Sequence, residues 1–102
     1  MFERLGPGRF HGRVIKSLEV SGFILTETAH DARSILPRHA HENSHFCFVL
    51  QGTYTEKYGK REIACKPSTL TFCGSGEAHA ARLHDTNARV FVLEISPQWI
   101  ER

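Results

Sequence analysis

Apolar and polar positions alternate with a period of two along most of this chain, in short runs closed by Gly, Pro, Ser or Asn. That rhythm places successive side chains on opposite faces of an extended strand. No apolar stripe at helical period persists before the last few residues, so the pattern predicts an all-β chain. The predicted strands are "RVIKSLEV", "GFILTETA", "SILPRHAH", "HFCFVLQG", "TYTEKYG", "REIACKP", "TLTFCG", "EAHAARLH" and "ARVFVLEI". Their spacing suits a sandwich or barrel. Gly59 in "EKYGKRE" can supply a left-handed turn, which makes residues 53–65 a hairpin. The closing "SPQWIER" predicts one helical turn, with Ser96 as its cap and Pro97 in the first position. The runs "HFCFV" and "RVFVLEI" read as core. Tyr54 and Tyr58 alternate with Glu56 on one hairpin face, as an interface or as amphipathic packing.

Composition narrows the class without changing the fold. At 102 residues the chain fits one domain, 1–102, long enough to bury a core without metal or disulfide staples. Hydrophobic residues at 40% and charged residues at 24% are ordinary globular usage, which argues against disorder or a fibrous repeat. Thirteen Lys and Arg are spread against eleven acids, and the net charge of +2 leaves no basic stripe, so nucleic acid is not an expected partner. No run approaches the roughly 20 apolar residues of a membrane span, and "MFERLGPGRF" lacks the apolar stretch of a signal peptide. The expected location is the cytoplasm, with no membrane partner. Cys47, Cys65 and Cys73 are odd in number and show no Cys-x-x-Cys spacing, so they read as buried free thiols.

The candidate chemistry lies in the histidines. In "LPRHAHENSHFCFVLQG", His39 and His41 share a face of an extended strand while Ala40 points away, and Pro37 disfavours a helix there. Two imidazoles so placed can bind one ion, and His45, after the polar turn "ENS", can turn back toward it. His79 follows the tight turn Gly74-Ser75-Gly76 and opens another strand. The alternative is that His39 and His41 sit on a solvated loop with His45 at a rim. His11, His30 and His84 lack comparable spacing and are left out as ligands. Glu42 and Glu77 stand beside the candidates as a possible fifth ligand or base, but their turn positions read as solvated loop acids. Cys47 and Cys73 read as small buried strand residues rather than thiolate ligands.

These positions resemble two motifs of the cupin superfamily. His39, His41, His45 and Gly52 match the first, and Gly74, Gly76 and His79 match the second. The stretch "HFCFVLQGTYTEKYGKREIACKPSTLTFCGSGEAH" is closer still to the cupin sensor domains of AraC-type transcription regulators, over about residues 22–95. The resemblance implies a cupin double-stranded β-helix, or jelly-roll barrel, with metal ligands supplied by both motifs. Departures are visible: His45 stands where cupins usually carry Glu, Arg33 and Ser68 where each motif begins with Gly, Gly74 in place of Pro, and Leu83 in place of Asn. The helix-turn-helix segments of the regulators are missing, so DNA binding does not carry over.

The expected function is therefore a metal-binding cupin that holds a small molecule in its barrel as a binding or sensing module. His39, His41, His45 and His79 would hold one divalent transition metal, Zn, Ni, Fe or Cu, since imidazole suits these better than Mg or Ca. The alternative is a metal-dependent cupin enzyme of dioxygenase, isomerase or lyase type. A homodimer is expected, because a small sandwich has edge strands and an outer sheet face to cover.

Overall fold

The computed structural model describes residues 2–100, Ile100 by its backbone alone, so Glu101 and Arg102 of the predicted terminal turn lie outside the described residues. In chain order the elements are β1 (Glu3–Leu5), β2 (Arg13–Val20), β3 (Phe23–His30), β4 (Ile35–His41) and β5 (Ser44–Gln51), then β6 (Tyr54–Tyr58), β7 (Arg61–Cys65), β8 (Leu70–Cys73), β9 (His79–Leu83), β10 (Ala88–Ile95) and α1 (Pro97–Ile100). They form two five-stranded sheets, ordered β1-β4-β9-β6-β7 and β2-β3-β10-β5-β8. The two sheets pack as a jelly roll. Every predicted strand is present. β1 is an addition: its three residues carry no alternation to read, and it forms by pairing in parallel with β4, Glu3 opposite His39 and Leu5 opposite His41.

Inside and outside follow from register. On β10, Val90 and Val92 point inward and pair with Val49 and Cys47 of β5. With Tyr54, Cys65, Ala81 and Leu83 of the other sheet, Val49, Val90 and Val92 form the apolar core. The intervening residues face out. Leu18, Leu25, Leu93, Phe46 and Phe72 are cross-strand partners in one row across all five strands of the second sheet. The reading of "RVFVLEI" as uniform core is thus corrected: Phe91 lies outside and Glu94 is buried. Alternation marks two faces but does not say which one another sheet covers.

Turns explain two departures from the family motifs. Lys66 to Thr69 closes with a Thr69 N–H to Lys66 carbonyl bond of 2.9 Å, Pro67 at the second position and Ser68 at the third with φ 74°. That third position favours glycine. Arg33, with φ 61°, holds the same position in the Asp31–Ser34 turn. The left-handed backbone is kept although the glycine is not. At Gly52 (φ 82°) an added Cβ would lie 2.4 Å from the Asn87 carbonyl oxygen, whereas at Gly59 (φ 58°), in the β6–β7 turn, it would meet nothing within 4 Å. Only the first glycine is required for space as well as for conformation.

A left-handed L-residue costs about 1–2 kcal/mol, and glycine returns about 0.5–1 kcal/mol of that through unfolded-chain entropy. Ser68→Gly is accordingly expected to stabilise the protein by about 0.5 kcal/mol, and Gly52→Ala to destabilise it by about 2 kcal/mol or more. Urea unfolding checks both. A destabilising Ser68→Gly would show that the Ser68 side chain, not its backbone, holds the turn.

Candidate metal centre

The chain crosses from one sheet to the other between β4 and β5, and that crossing builds the site. Two-residue alternation sends His39 and His41 inward from β4, and His79 sits directly opposite His39 on β9. His45, at the start of β5, lies opposite Cys73 of β8 and Glu94 of β10. The loop before His79 is tied to the crossing by three bonds: Gly76 N–H to the His41 carbonyl (2.9 Å), Ser75 N–H to Ser44 Oγ (3.0 Å) and Ser75 Oγ–H to the Glu42 carbonyl (2.6 Å). These hold the two histidine-bearing segments together.

All four imidazoles are buried. Ring centroids lie 4.4 Å apart for His39 and His79, 4.6 Å for His41 and His45, and 5.0 Å for His39 and His41. One ligand atom each from His39, His41 and His79 falls within a mutual 4.8 Å, and a second such set is His45, Cys73 and His79. His79 belongs to both. The four rings are thus neighbours, but His45 shares such a set with His79 and not with His39 and His41, and its ring lies 6.2 Å from that of His79.

A repeated contact sets the tautomers. His39 Nδ1 donates to the Pro37 carbonyl at 2.7 Å, His45 Nδ1 to Asn43 at 3.4 Å and His79 Nδ1 to Glu77 at 3.4 Å. A carbonyl only accepts, so each Nδ1 carries the proton and each Nε2 keeps its lone pair. Metal-binding imidazoles are commonly oriented in this way. Buried His41 Nδ1 has no protein partner. The donor set therefore fits a transition ion, and the orphaned nitrogen gains a partner if His41 binds through it.

Burial, then the neighbouring imidazoles, lowers the His41 pKa to about 3, and burial with His39 lowers that of His79 to about 4. His39 and His45 move the same way, chiefly by burial. Burial, with Glu77 and Glu56 nearby, pushes the Cys73 thiol up to about 12, so in the metal-free protein it is a neutral thiol 3.4 Å from His79 Nδ1.

The histidines border a cavity of about 60 Å³ whose walls include Leu36, Ala81, Leu83, Val90 and Val92. Several of its residues escaped the reading of the sequence. Glu56 is buried in the wall, accepting bonds from Tyr58 Oη–H (3.2 Å) and Cys65 Sγ–H (3.8 Å), and burial raises its pKa. The Tyr54–Glu56–Tyr58 face is therefore barrel interior rather than an outer interface, and the Tyr58 ring lies 5.3 Å from that of His79, tilted by 34°. Phe10 packs 4.8 Å from His41, and His11 lies 4.8 Å from His39. His11 and His30, set aside for want of spacing, both line the cavity. Their position follows from the β2–β3 pairing and the segment before it, which no local motif encodes. His84 lies elsewhere, bridging Thr53 Oγ1 and Thr55 Oγ1 at 2.9 and 2.8 Å. Glu42 and Glu77 are exposed, and Glu77 Oε1 accepts from Gly74 N–H at 3.2 Å. All three thiols are free.

Two sheets in jelly-roll order, with motif histidines at one end of the barrel, define a cupin. The family model of the AraC-like ligand binding domain matches residues 21–102, and the chain belongs to that family. No curated relative matches in sequence. Among solved structures, a cupin-2 domain containing protein from Shewanella frigidimarina is similar at a TM-score of 0.66 and 15% identity, covering 81% of this chain and 78% of that one. A cupin superfamily protein from Desulfitobacterium hafniense gives 0.68 and 10%, over 94% and 98% of the two chains. The polyketide cyclase RemF from Streptomyces resistomycificus gives 0.64 and 26%, over 72% of this chain and 54% of its own, so this chain spans about half of it.

The lowered histidine pKa values set a pH dependence for the metal-free protein. These imidazoles stay neutral in the fold but take protons in the unfolded chain below 6.5, the ordinary value. Stability is then full above pH 6.5 and falls as pH drops toward the folded values, by up to about 1.4 kcal/mol per pH unit for each histidine held neutral. Glu56 and Glu94, whose pKa values are raised, act oppositely, and their contribution fades as pH rises above 4.5. His30, His39, His41, His45 and His79 outnumber them. The urea midpoint of metal-free protein is expected to fall between pH 6.5 and 4.5, and an unchanged midpoint would contradict the neutral cluster.

Proposed function

We propose that this chain is a one-domain metal-binding cupin that holds a small molecule in its barrel and acts as a binding or sensing module. One observation carries the reading: His39, His41 and His79 converge from two strands with ligand atoms within 4.8 Å, beside an apolar-walled cavity. His45, on the facing sheet, would be the fourth ligand. A neutral imidazole set favours Zn, Ni, Fe or Cu. When bound, such an ion supplies a Lewis-acid position for a donor atom of the ligand. The protein's own groups do the rest. Leu36, Leu83 and Val90 take an apolar body, Glu56 takes a hydrogen-bond donor, and Phe10 shields His41 and His45 from water. The cavity suits a ligand of a few non-hydrogen atoms.

Free thiols at all three cysteines fit a reducing compartment, and the reading places the protein in the cytoplasm. No described helix is long and apolar enough to cross a membrane. A second reading, a metal-dependent enzyme, is favoured by Glu56: a buried carboxyl with a raised pKa in the cavity wall can exchange a proton with a bound ligand. The likeness to a polyketide cyclase points the same way. Recovery of a bound small molecule unchanged from the metal-loaded protein separates binding from turnover.

An ion that binds only the native state adds RT ln(1 + [L]/Kd), about 2.7 kcal/mol at a hundredfold excess over Kd. For a domain of this size that raises Tm by on the order of 10 °C. Zinc or nickel is expected to give this shift with wild type and with His84→Ala. His79→Ala is expected to lose both the shift and the metal measured by elemental analysis, and His45→Ala to weaken binding less. If wild type carries no metal and none of zinc, nickel, ferrous iron or copper moves its Tm, the histidine cluster is structural only.

A further inference from the structure

We propose that His45, Cys73 and His79 form a separate site for a soft monovalent metal ion of the cuprous class, alternative to the site of His39, His41 and His79. Two of the three donors, His45 and His79, rest on the metal reading above; the third is new. Neither cupin motif includes Cys73, and in the sequence it reads as a small buried strand residue. Register changes that. Alternation along β8 turns Phe72 outward and Cys73 inward, and Cys73 pairs with His45 on β5. One ligand atom from each of His45, Cys73 and His79 lies within a mutual 4.8 Å, and all three side chains are buried. Cys47, two residues along β5, pairs with Thr71 and belongs to no such set among the described residues. The Cys73 sulfur lies 3.4 Å from His79 Nδ1. A sulfur at about 2.3 Å and a nitrogen at about 2.0 Å from one ion stand roughly 3.6 Å apart at a tetrahedral angle, so the pair is already near ligand spacing. The thiol's contacts to the Gly74 and Glu77 carbonyls are long, at 3.8 Å each, and their loss costs little.

A neutral imidazole has one lone pair, so His79 serves one set at a time. With the proton on Nδ1, where the Glu77 carbonyl accepts it at 3.4 Å, Nε2 is the free donor. With the proton on Nε2, Nδ1 becomes the donor beside the Cys73 sulfur. The Glu77 contact given up in that exchange is long, against 2.7 Å for the matching bond of His39. The ion therefore sets the tautomer, and its softness and charge decide which. Thiolate selects cuprous copper, whereas imidazole alone suits divalent zinc and nickel. Coordination deprotonates the thiol outright. The S–H bond breaks, its proton passes to solvent, and a sulfur–copper bond forms with no change in the oxidation state of copper. A monovalent ion on one thiolate and two neutral imidazoles carries no net charge, which suits three buried side chains beside an apolar-walled cavity. A divalent ion there would leave one charge uncompensated.

Anaerobic titration of the full chain with cuprous copper, against a coloured cuprous chelator, tests the site, together with copper X-ray absorption and a parallel nickel titration. Wild type is expected to bind one cuprous ion with a sulfur neighbour and to release bound nickel as it does so. Cys73→Ser is expected to lose the sulfur neighbour and to bind copper at least about a hundredfold more weakly, while its nickel affinity stays within about threefold because the three-histidine set is untouched. Cys47→Ser is expected to change neither. The double variant His39→Ala with His41→Ala is expected to lose nickel and keep copper with its sulfur. Should Cys73→Ser fail to fold, the wild-type absorption spectrum decides alone. Copper held by nitrogen only, a Cys73→Ser variant that binds it as tightly as wild type, copper and nickel held together, or no copper bound at all overturns the proposal; where nickel or zinc still binds, the histidine centre stands. Copper bound through sulfur with no binding of nickel, zinc or ferrous iron upholds the proposal and overturns the divalent centre.

Discussion

A backbone carbonyl two residues earlier in the chain accepts the Nδ1 proton of His39, of His45 and of His79, and the site depends on that repeated contact. Each such bond fixes a ring's rotation and tautomer at once, leaving the Nε2 lone pair available. It also makes the crowding tolerable. Imidazoles four to five ångströms apart in a buried site cannot carry several charges together, because desolvation and mutual repulsion both oppose protonation. The low pKa values of His41 and His79 express the same constraint. A cluster held neutral for reasons of burial is already in the protonation state that a metal requires.

Around that cluster the interior also buries two carboxyls, Glu56 and Glu94. Glu56 is held by Tyr58 and Cys65. Glu94 accepts from Gly8 N–H at 2.9 Å, and its other oxygen has no protein partner. Burying carboxyls costs free energy unless their bonds are made, and burial raises both pKa values. Their position is informative: Glu56 lies in the cavity wall, while Glu94 stands beside His45 and anchors the N-terminal segment that brings Phe10 over the histidines.

The two sheets share one core but present unlike surfaces. One is polar outside and supplies His39, His41 and His79; the other is apolar outside and supplies His45. Of the four candidate histidines, His45 alone comes from the second sheet.

Much of this was legible in local pattern. Period-two alternation and turn residues determined the strands, and the spacing of His39 and His41 determined that they share a face, because both follow from the backbone geometry of one segment. The motif positions of Arg33 and Ser68 were legible as turns, and only the coordinates show that the left-handed conformation survives without glycine. Tertiary structure alone decided which face of each strand looks inward. In "HFCFVL" and "RVFVLEI" both faces are apolar, and in "TYTEKY" the inward face carries a carboxyl, so hydrophobicity could not choose. It also decided that His11, His30 and Phe10 reach the cavity and that His45 groups with Cys73 and His79 rather than with His39 and His41. Those placements depend on pairing between strands far apart in the chain, and a residue's own neighbours in sequence exert no force that specifies such a partner.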